Sequence, residues 1–280
     1  MLKKQILILI LFSATLGIAQ PSKKSVEVGV FLGGSYYIGD LSPLGHFNQF
    51  TQPAGGILVR HNFNPRLAVR ASVLVGSVQG ADSISNSTWQ KQRNQSFRSD
   101  VYELSGQLEF NFLDFEIGND YKRFSHYIFI GLGGFRYNPQ GLVNDTWVDL
   151  QPLGTEGQGL PDGPSKRKYK LTQLSVPVGV GVKIGLSKYL TLGFEWGMRK
   201  TFTDYIDDVS TRYYDPAAIA AKRGANAAHF SDKSKGTDPN YSNTGRQRGN
   251  PTTKDWYNFS GITLTVKFKE GRKKCPGVYK

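Results

Sequence analysis

The alternation of apolar and polar positions is clearest between Leu174 and Met198. Leu174, Val176, Val178, Val180, Val182 and Ile184 alternate with Gln173, Ser175, Pro177, Gly179, Gly181, Lys183 and Gly185, the two-residue period of a strand with unlike faces. After a turn at Ser187 and Lys188 the pattern restarts, with Leu190, Leu192, Phe194, Trp196 and Met198 on one face and Thr191, Gly193, Glu195, Gly197 and Arg199 on the other. This predicts a β-hairpin. One face stays apolar for about ten residues per strand, the length a tilted strand needs to cross a bilayer. The other face mixes glycines with charges, which suits the crowded inside of a narrow barrel better than the wet face of a soluble sheet.

The same period recurs along the chain. A first strand carries Val26, Val28, Val30 and Leu32 against Glu27, Gly29, Phe31 and Gly33, and runs into Tyr36 and Tyr37, placed at a membrane interface. A second, about Ala54 to His61, shows Ile57 and Val59 outward. The turn Asn62 to Pro65 leads to a third, with Leu67, Val69, Ala71, Val73 and Val75 outside and Arg66, Arg70 and Ser72 inside. Gly80 to Arg98 is polar and reads as a surface loop. A fourth strand sets Tyr102, Leu104, Gly106, Leu108, Phe110 and Phe112 against Glu103, Ser105, Gln107, Glu109 and Asn111. A fifth has Ile128, Ile130 and Leu132 outward and closes at Arg136 and Tyr137, before a Gly/Pro-rich loop from Asn138 to Lys168. The opening hairpin supplies strands six and seven. Thr203 to Asp255 is the longest insertion, with a short helix expected between Pro216 and Ala228. An eighth strand has Ile262, Leu264, Val266 and Phe268 outside.

Short links near Asn62, Leu113 and Ser187 alternate with long ones near Asp40, Ser85, Leu150 and Gly224, the asymmetry of periplasmic turns and outer loops. The expected fold is therefore all-β: an eight-stranded antiparallel transmembrane outer-membrane β-barrel with long extracellular loops and short periplasmic turns.

Composition adjusts this picture at the ends. Lys3 and Lys4 precede an apolar run from Ile6 to Leu16 and small residues at Gly17 to Ala19, so residues 1–19 read as a cleaved signal peptide. Residues 20–268 are then the barrel with its loops, and residues 269–280 a basic periplasmic tail. The formal charge of +13 would suggest nucleic acid in a cytosolic protein. In an exported barrel it fits acidic groups of outer-membrane lipids and lipopolysaccharide, or a negative protein partner, and no nucleic-acid partner is expected.

A barrel this narrow is filled by its own side chains. The inward set Glu27, Arg60, Arg70, Glu103, Glu109, Lys183, Glu195 and Arg199 is expected to form an ion-pair network, since buried charges are tolerable when paired. Catalysis would need a nucleophile, base and orienting acid together. His46 and His229 fall outside, and His61 and His126 near the periplasmic side, so no enzyme activity is expected; a lipid-modifying or proteolytic barrel, or an adhesion barrel, is the alternative. Asp204, Asp207 and Asp208 could hold Ca²⁺, or could cap a rim turn or pair with Arg199 and Lys200. The chain has no phosphate-binding glycine loop and no Cys/His metal spacing, so no cofactor is expected. Cys275, the single cysteine, sits among Arg272, Lys273 and Lys274, which favour its thiolate, so an intermolecular disulfide or a free thiol is expected there.

Two stretches carry a resemblance. Gly33 to Leu41, GGSYYIGDL, and Thr203 to Ser210, TDYIDDVS, followed by Tyr213, Tyr214, Asp215 and Pro216, resemble signatures of the PorG-like family of type IX secretion components. The tail with Cys275 and Pro276 is similar as well. The resemblance implies an outer-membrane barrel that contacts the periplasmic ring of a PorK-type lipoprotein and PorN, with the tail as contact point. It also implies a role in exporting cargo with C-terminal sorting domains and, in gliding species, in motility.

Overall fold

The computed structural model describes residues 24–42, 46–47, 49–234 and 242–268. The expected signal peptide and the basic tail with Arg272, Lys273, Lys274 and Cys275 lie outside the described residues. Among these described residues nine strands form: β1 (Ser25–Ile38), β2 (Gln52–Asn62), β3 (Leu67–Ala81), β4 (Ser96–Asn111), β5 (Phe124–Val143), β6 (Thr146–Asp149), β7 (Thr172–Gly185), β8 (Leu190–Thr201) and β9 (Trp256–Lys267). β6 only extends β5 into a hairpin arm. The other eight pair antiparallel with their chain neighbours, skipping β6, and β9 returns to β1 with Glu27 opposite Lys267, which closes the sheet into a barrel.

Turn chemistry fixes the short end. The Asn64 carboxamide oxygen accepts from the backbone N–H groups of Arg66 and Leu67, both at 2.8 Å, and the Ser187 hydroxyl does the same for Tyr189 and Leu190 at 3.2 Å. The long end carries a 3₁₀ turn at Asp82–Ile84 and three helices, α1 (Thr88–Arg93), α2 (Pro216–Arg223) and α3 (Ala225–Ser231). Asp215 caps α2 by accepting from Ala217 N–H at 2.9 Å, with Pro216 in the first turn. Gly224, at φ +87°, breaks the expected single helix into two.

The outer wall is apolar. Leu32, Ile57, Leu104, Ile130, Leu132, Leu174, Val180 and Phe194 all point out and stay exposed. Inside, two layers stack. Toward the short turns lie the charged residues; toward the long loops Phe31, Leu74, Val78, Phe97, Val101, Phe135, Tyr137, Tyr257 and Phe259 form an apolar core, joined by Tyr37, Ile206 and Val209 from the loops.

Five sequence expectations are corrected. β3 and β4 run on through the supposed loop, to Ala81 and from Ser96, and β5 continues past Tyr137 to Val143. Inward Phe97, Ser99 and Val101 keep the strand period there, while outward Arg98 and Asp100 turn polar above the apolar belt, so the alternation loses the contrast that marks it. Arg66 is not inside: it is half-exposed at the short-turn end and pairs with Asp114 at 2.8 Å. Tyr37 is no interfacial anchor, because its parity turns it inward and buries it. Asp207 and Asp208 do not pair with Arg199 or Lys200; Arg199 is held by Glu103, deeper in the lumen.

Candidate functional site

The lumen charges divide into two neutral groups. Glu109, on β4, is the hub of the first: Arg60 reaches it from β2 at 2.9 and 3.2 Å, Arg70 from β3 at 3.3 Å and Lys183 from β7 at 3.2 Å. Arg60 also meets Glu27 of β1 at 3.3 Å, and Arg70 meets Glu195 of β8 at 2.5 Å. In the second group Arg199 pairs with Glu103 at 3.2 Å, and Tyr257 donates to the same carboxylate at 2.7 Å. All eight of the inward residues read from the sequence are thus brought into ion pairs. Remaining acceptor capacity is used by Asn62 and Thr265 on Glu27 and by Tyr127 on Glu195. Buried charges without water need this complete satisfaction. Aromatic faces add to it, with Lys183 4.9 Å from the Tyr127 ring and Arg199 5.0 Å from Phe259.

Above the apolar core the long loops interlock. Arg93 of α1 forks onto Asp82 at 2.7 and 2.8 Å and donates to the carbonyls of Arg248 and Asp40. Arg248 in turn pairs with Glu156 at 3.0 Å, and Glu156 accepts from the backbone N–H groups of Ser210 and Thr211. The two signature stretches meet here. The Tyr37 hydroxyl lies 2.5 Å from Asp207 and 3.0 Å from Asp255, and Asp208 accepts from Tyr169 at 2.6 Å. Tyr37 has one proton for two buried carboxylates.

Burial raises Asp207 and Asp255 well above the usual carboxylate range, followed by repulsion from Asp255 at Asp207 and from Asp204 at Asp255. Burial also pushes Asp204 up to about 7, and Asp208 up to about 6 against the pull of Arg248. These acids hold hydroxyls and backbone N–H groups, and among the described residues no group of three or more His, Cys, Asp or Glu side chains is arranged to hold a metal.

The histidines stay apart. His46 contacts Tyr36, His61 lies against Phe63, His126 stacks on Phe112 at 4.9 Å, and His229 meets Phe230. The cap residues Asp82, Arg93, Glu156, Arg248 and Asp255 escaped the sequence reading. They sit in short helical turns and irregular segments without a hydrophobic period, and only the two signature motifs pointed near them.

Charge pairs fill the lower lumen, an apolar core the upper, and a hydrogen-bonded cap covers the mouth: this is a closed eight-stranded antiparallel barrel similar in architecture to outer-membrane barrels. The chain belongs to the family described as Domain of unknown function (DUF6089), whose model matches residues 3–215. The matched region contains both signature stretches and ends before Arg248 and Asp255. No curated protein matches the chain.

Among solved structures, the attachment invasion locus protein Ail of Yersinia pestis is 9% identical, with 89% of this chain and 100% of that one covered and a TM-score of 0.40. Neisserial surface protein A is 10% identical, covering 88% and 97%, at 0.39. The N-terminal barrel domain of Pseudomonas aeruginosa OprF is 10% identical, covering 87% and 97%, at 0.36. The fold assignment itself rests on the closed strand ladder.

Proposed function

We propose that this chain is an outer-membrane component of a type IX protein secretion machine, a plugged barrel that anchors the machine and is not its conduit. The observation that carries the reading is the junction of Tyr37 with Asp207 and Asp255, which ties the GGSYYIGDL and TDYIDDVS stretches into one cap. Residues that make a family resemblance and also close the mouth of a filled lumen favour a structural role over transport through the barrel. The outward apolar belt supports an outer-membrane location, because exposed apolar surface of that extent needs lipid to cover it. Both ends of the barrel lie on the short-turn side. A periplasmic ring of a PorK-type lipoprotein and PorN is the partner, reached through the basic tail with Arg272, Lys273, Lys274 and Cys275. Gliding motility depends on the same machine in species that glide.

Deleting the gene tests this reading. Cargo with C-terminal sorting domains should accumulate inside the cell, and a crosslinker placed in the tail should capture a ring subunit. Normal secretion with altered lipid A would refute it in favour of a lipid-modifying barrel.

A further inference from the structure

Cations in this protein are met by carboxylates almost wherever they are buried. The lumen groups are neutral, Arg93 has Asp82, Arg248 has Glu156, and even at the short-turn rim Arg66 and Lys122 share Asp114. The connection between β6 and β7 meets cations of another kind, with Lys168 exposed and Arg223 half-buried, and both rest on main-chain carbonyls instead of carboxylates. Lys168 Nζ rests on the Pro152 carbonyl at 2.5 Å, and Arg223, at the end of α2, rests on the next two carbonyls, Leu153 and Gly154, both at 2.9 Å, and on Gln158. Neither lies within 4 Å of a carboxylate among the described residues.

The seat for these cations is built. Gly154 has φ +57°, a left-handed conformation that favours glycine, and its missing Cβ leaves room for the Arg223 guanidinium against the main chain. Burial and the neighbouring Arg223 charge both lower the Lys168 pKa, the sign of like charges held together without compensation. Lys166, Arg167 and Lys170 stand exposed beside them.

The strip continues down the wall. Tyr137 N–H donates to Leu171 at 3.0 Å and the Tyr137 hydroxyl to Lys170 at 3.1 Å, which keeps this segment on β5, and Arg136 lies outward and opposite Thr172. Directly below come Leu132 and Leu174, 74% and 68% exposed, in the apolar belt. Asp149, an acid on the β5–β6 arm, is occupied by the amides of Asn138 and Gln140. A row of uncompensated cations one step above a lipid-facing belt is placed at the height of lipid headgroups.

We propose that this strip binds the phosphate groups of lipopolysaccharide, with Arg136, Lys168 and Lys170 contacting the phosphates and Arg223 acting as a positioning residue for the loop. The assignment rests on the outer-membrane reading and on the long loops facing outward. Each cation near an anionic lipid surface adds attraction that salt weakens.

The test titrates the refolded full chain in detergent with lipopolysaccharide and with the same lipopolysaccharide stripped of its lipid A phosphates. The variant Arg136→Gln/Lys168→Gln/Lys170→Gln should bind on the order of 100-fold more weakly than wild type, and wild type should bind the stripped form as weakly as the variant binds the intact form. Lys91→Gln/Lys254→Gln, on other connections, should bind as wild type does. Circular dichroism confirms that each variant folds, and Lys168→Gln/Lys170→Gln, which leaves every strand intact, should show a smaller loss of the same kind. Equal binding of intact and stripped lipid, or equal binding by wild type and the triple variant, overturns the site and leaves the secretion reading standing. Fractionation of the chain away from the outer membrane overturns both.

Discussion

Replacing Glu109 by Gln tests whether the lumen is held by its charge pairs. The side chain keeps its shape but loses its charge, and the change leaves Glu27 and Glu195 to face Arg60, Arg70 and Lys183. Arg60 keeps Glu27 and Arg70 keeps Glu195, whereas Lys183 loses the carboxylate that holds its ammonium at 3.2 Å. Breaking a buried pair by removing one partner costs about 3–5 kcal/mol, and that penalty should fall mainly on Lys183. Adding Lys183→Met should therefore restore neutrality and recover part of the loss, although Lys183→Met alone is destabilising in the wild type. The coupling between the two sites should be on the order of 0.5–3 kcal/mol. Reversible urea unfolding of the barrel refolded in lipid vesicles, followed by tryptophan fluorescence, measures all four corners of the cycle. Additive losses, or Glu109→Gln unfolding within about 0.5 kcal/mol of wild type, would refute the pairing argument.

The cap should weaken as pH rises. Asp204 titrates near 7 in the folded cap, and Asp207 and Asp255 lie well above their ordinary value, so the folded form holds more protons than the unfolded chain from about pH 4 upward and its stability falls across that window. Near-UV circular dichroism of the cap tyrosines in urea at about pH 5 and about pH 8 should show this loss, and Asp207→Asn should flatten it. Val180→Arg places a charge on the lipid face, where Val180 is 51% exposed, and should cost about 2–4 kcal/mol near the bilayer midplane; an unchanged unfolding midpoint in vesicles would mean that this wall does not meet lipid. Gly181→Ala puts a Cβ 2.5 Å from the Tyr127 ring and should destabilise by about 1–3 kcal/mol by displacing Tyr127 from Glu195, visible as a shift in the same unfolding curve. Non-reducing gels of membranes alkylated before lysis should show a heavier band containing the chain and a ring subunit, absent in Cys275→Ser; monomer alone would exclude the disulfide.

The barrel was legible because its two environments differ sharply in chemistry. Val180 and Lys183 sit on one strand yet face lipid and lumen, and a period of two with that contrast admits little besides a closed sheet with a polar inside. The inward charges followed from the same parity, so Glu27 through Arg199 could be named without knowing which pairs with which. Pairing was a matter of tertiary structure: Glu109 joins residues of β2, β3 and β7 because shear brings them to one level of the lumen, and no spacing along the chain encodes that meeting. Above the belt the contrast fades. Arg98 lies on the Trp147 ring and Asp100 faces water, so β4 looks like a loop although Phe97, Ser99 and Val101 still pack inward. The cap lay further beyond reach, since Asp82 with Arg93 and Glu156 with Arg248 join short turns and loop segments whose conformations depend on one another. Tyr37 shows the division most directly. Its parity on β1 is written in the sequence, but its burial between Asp207 and Asp255 exists because loops distant in the chain fold over the mouth and exclude the water that an interfacial tyrosine would have met.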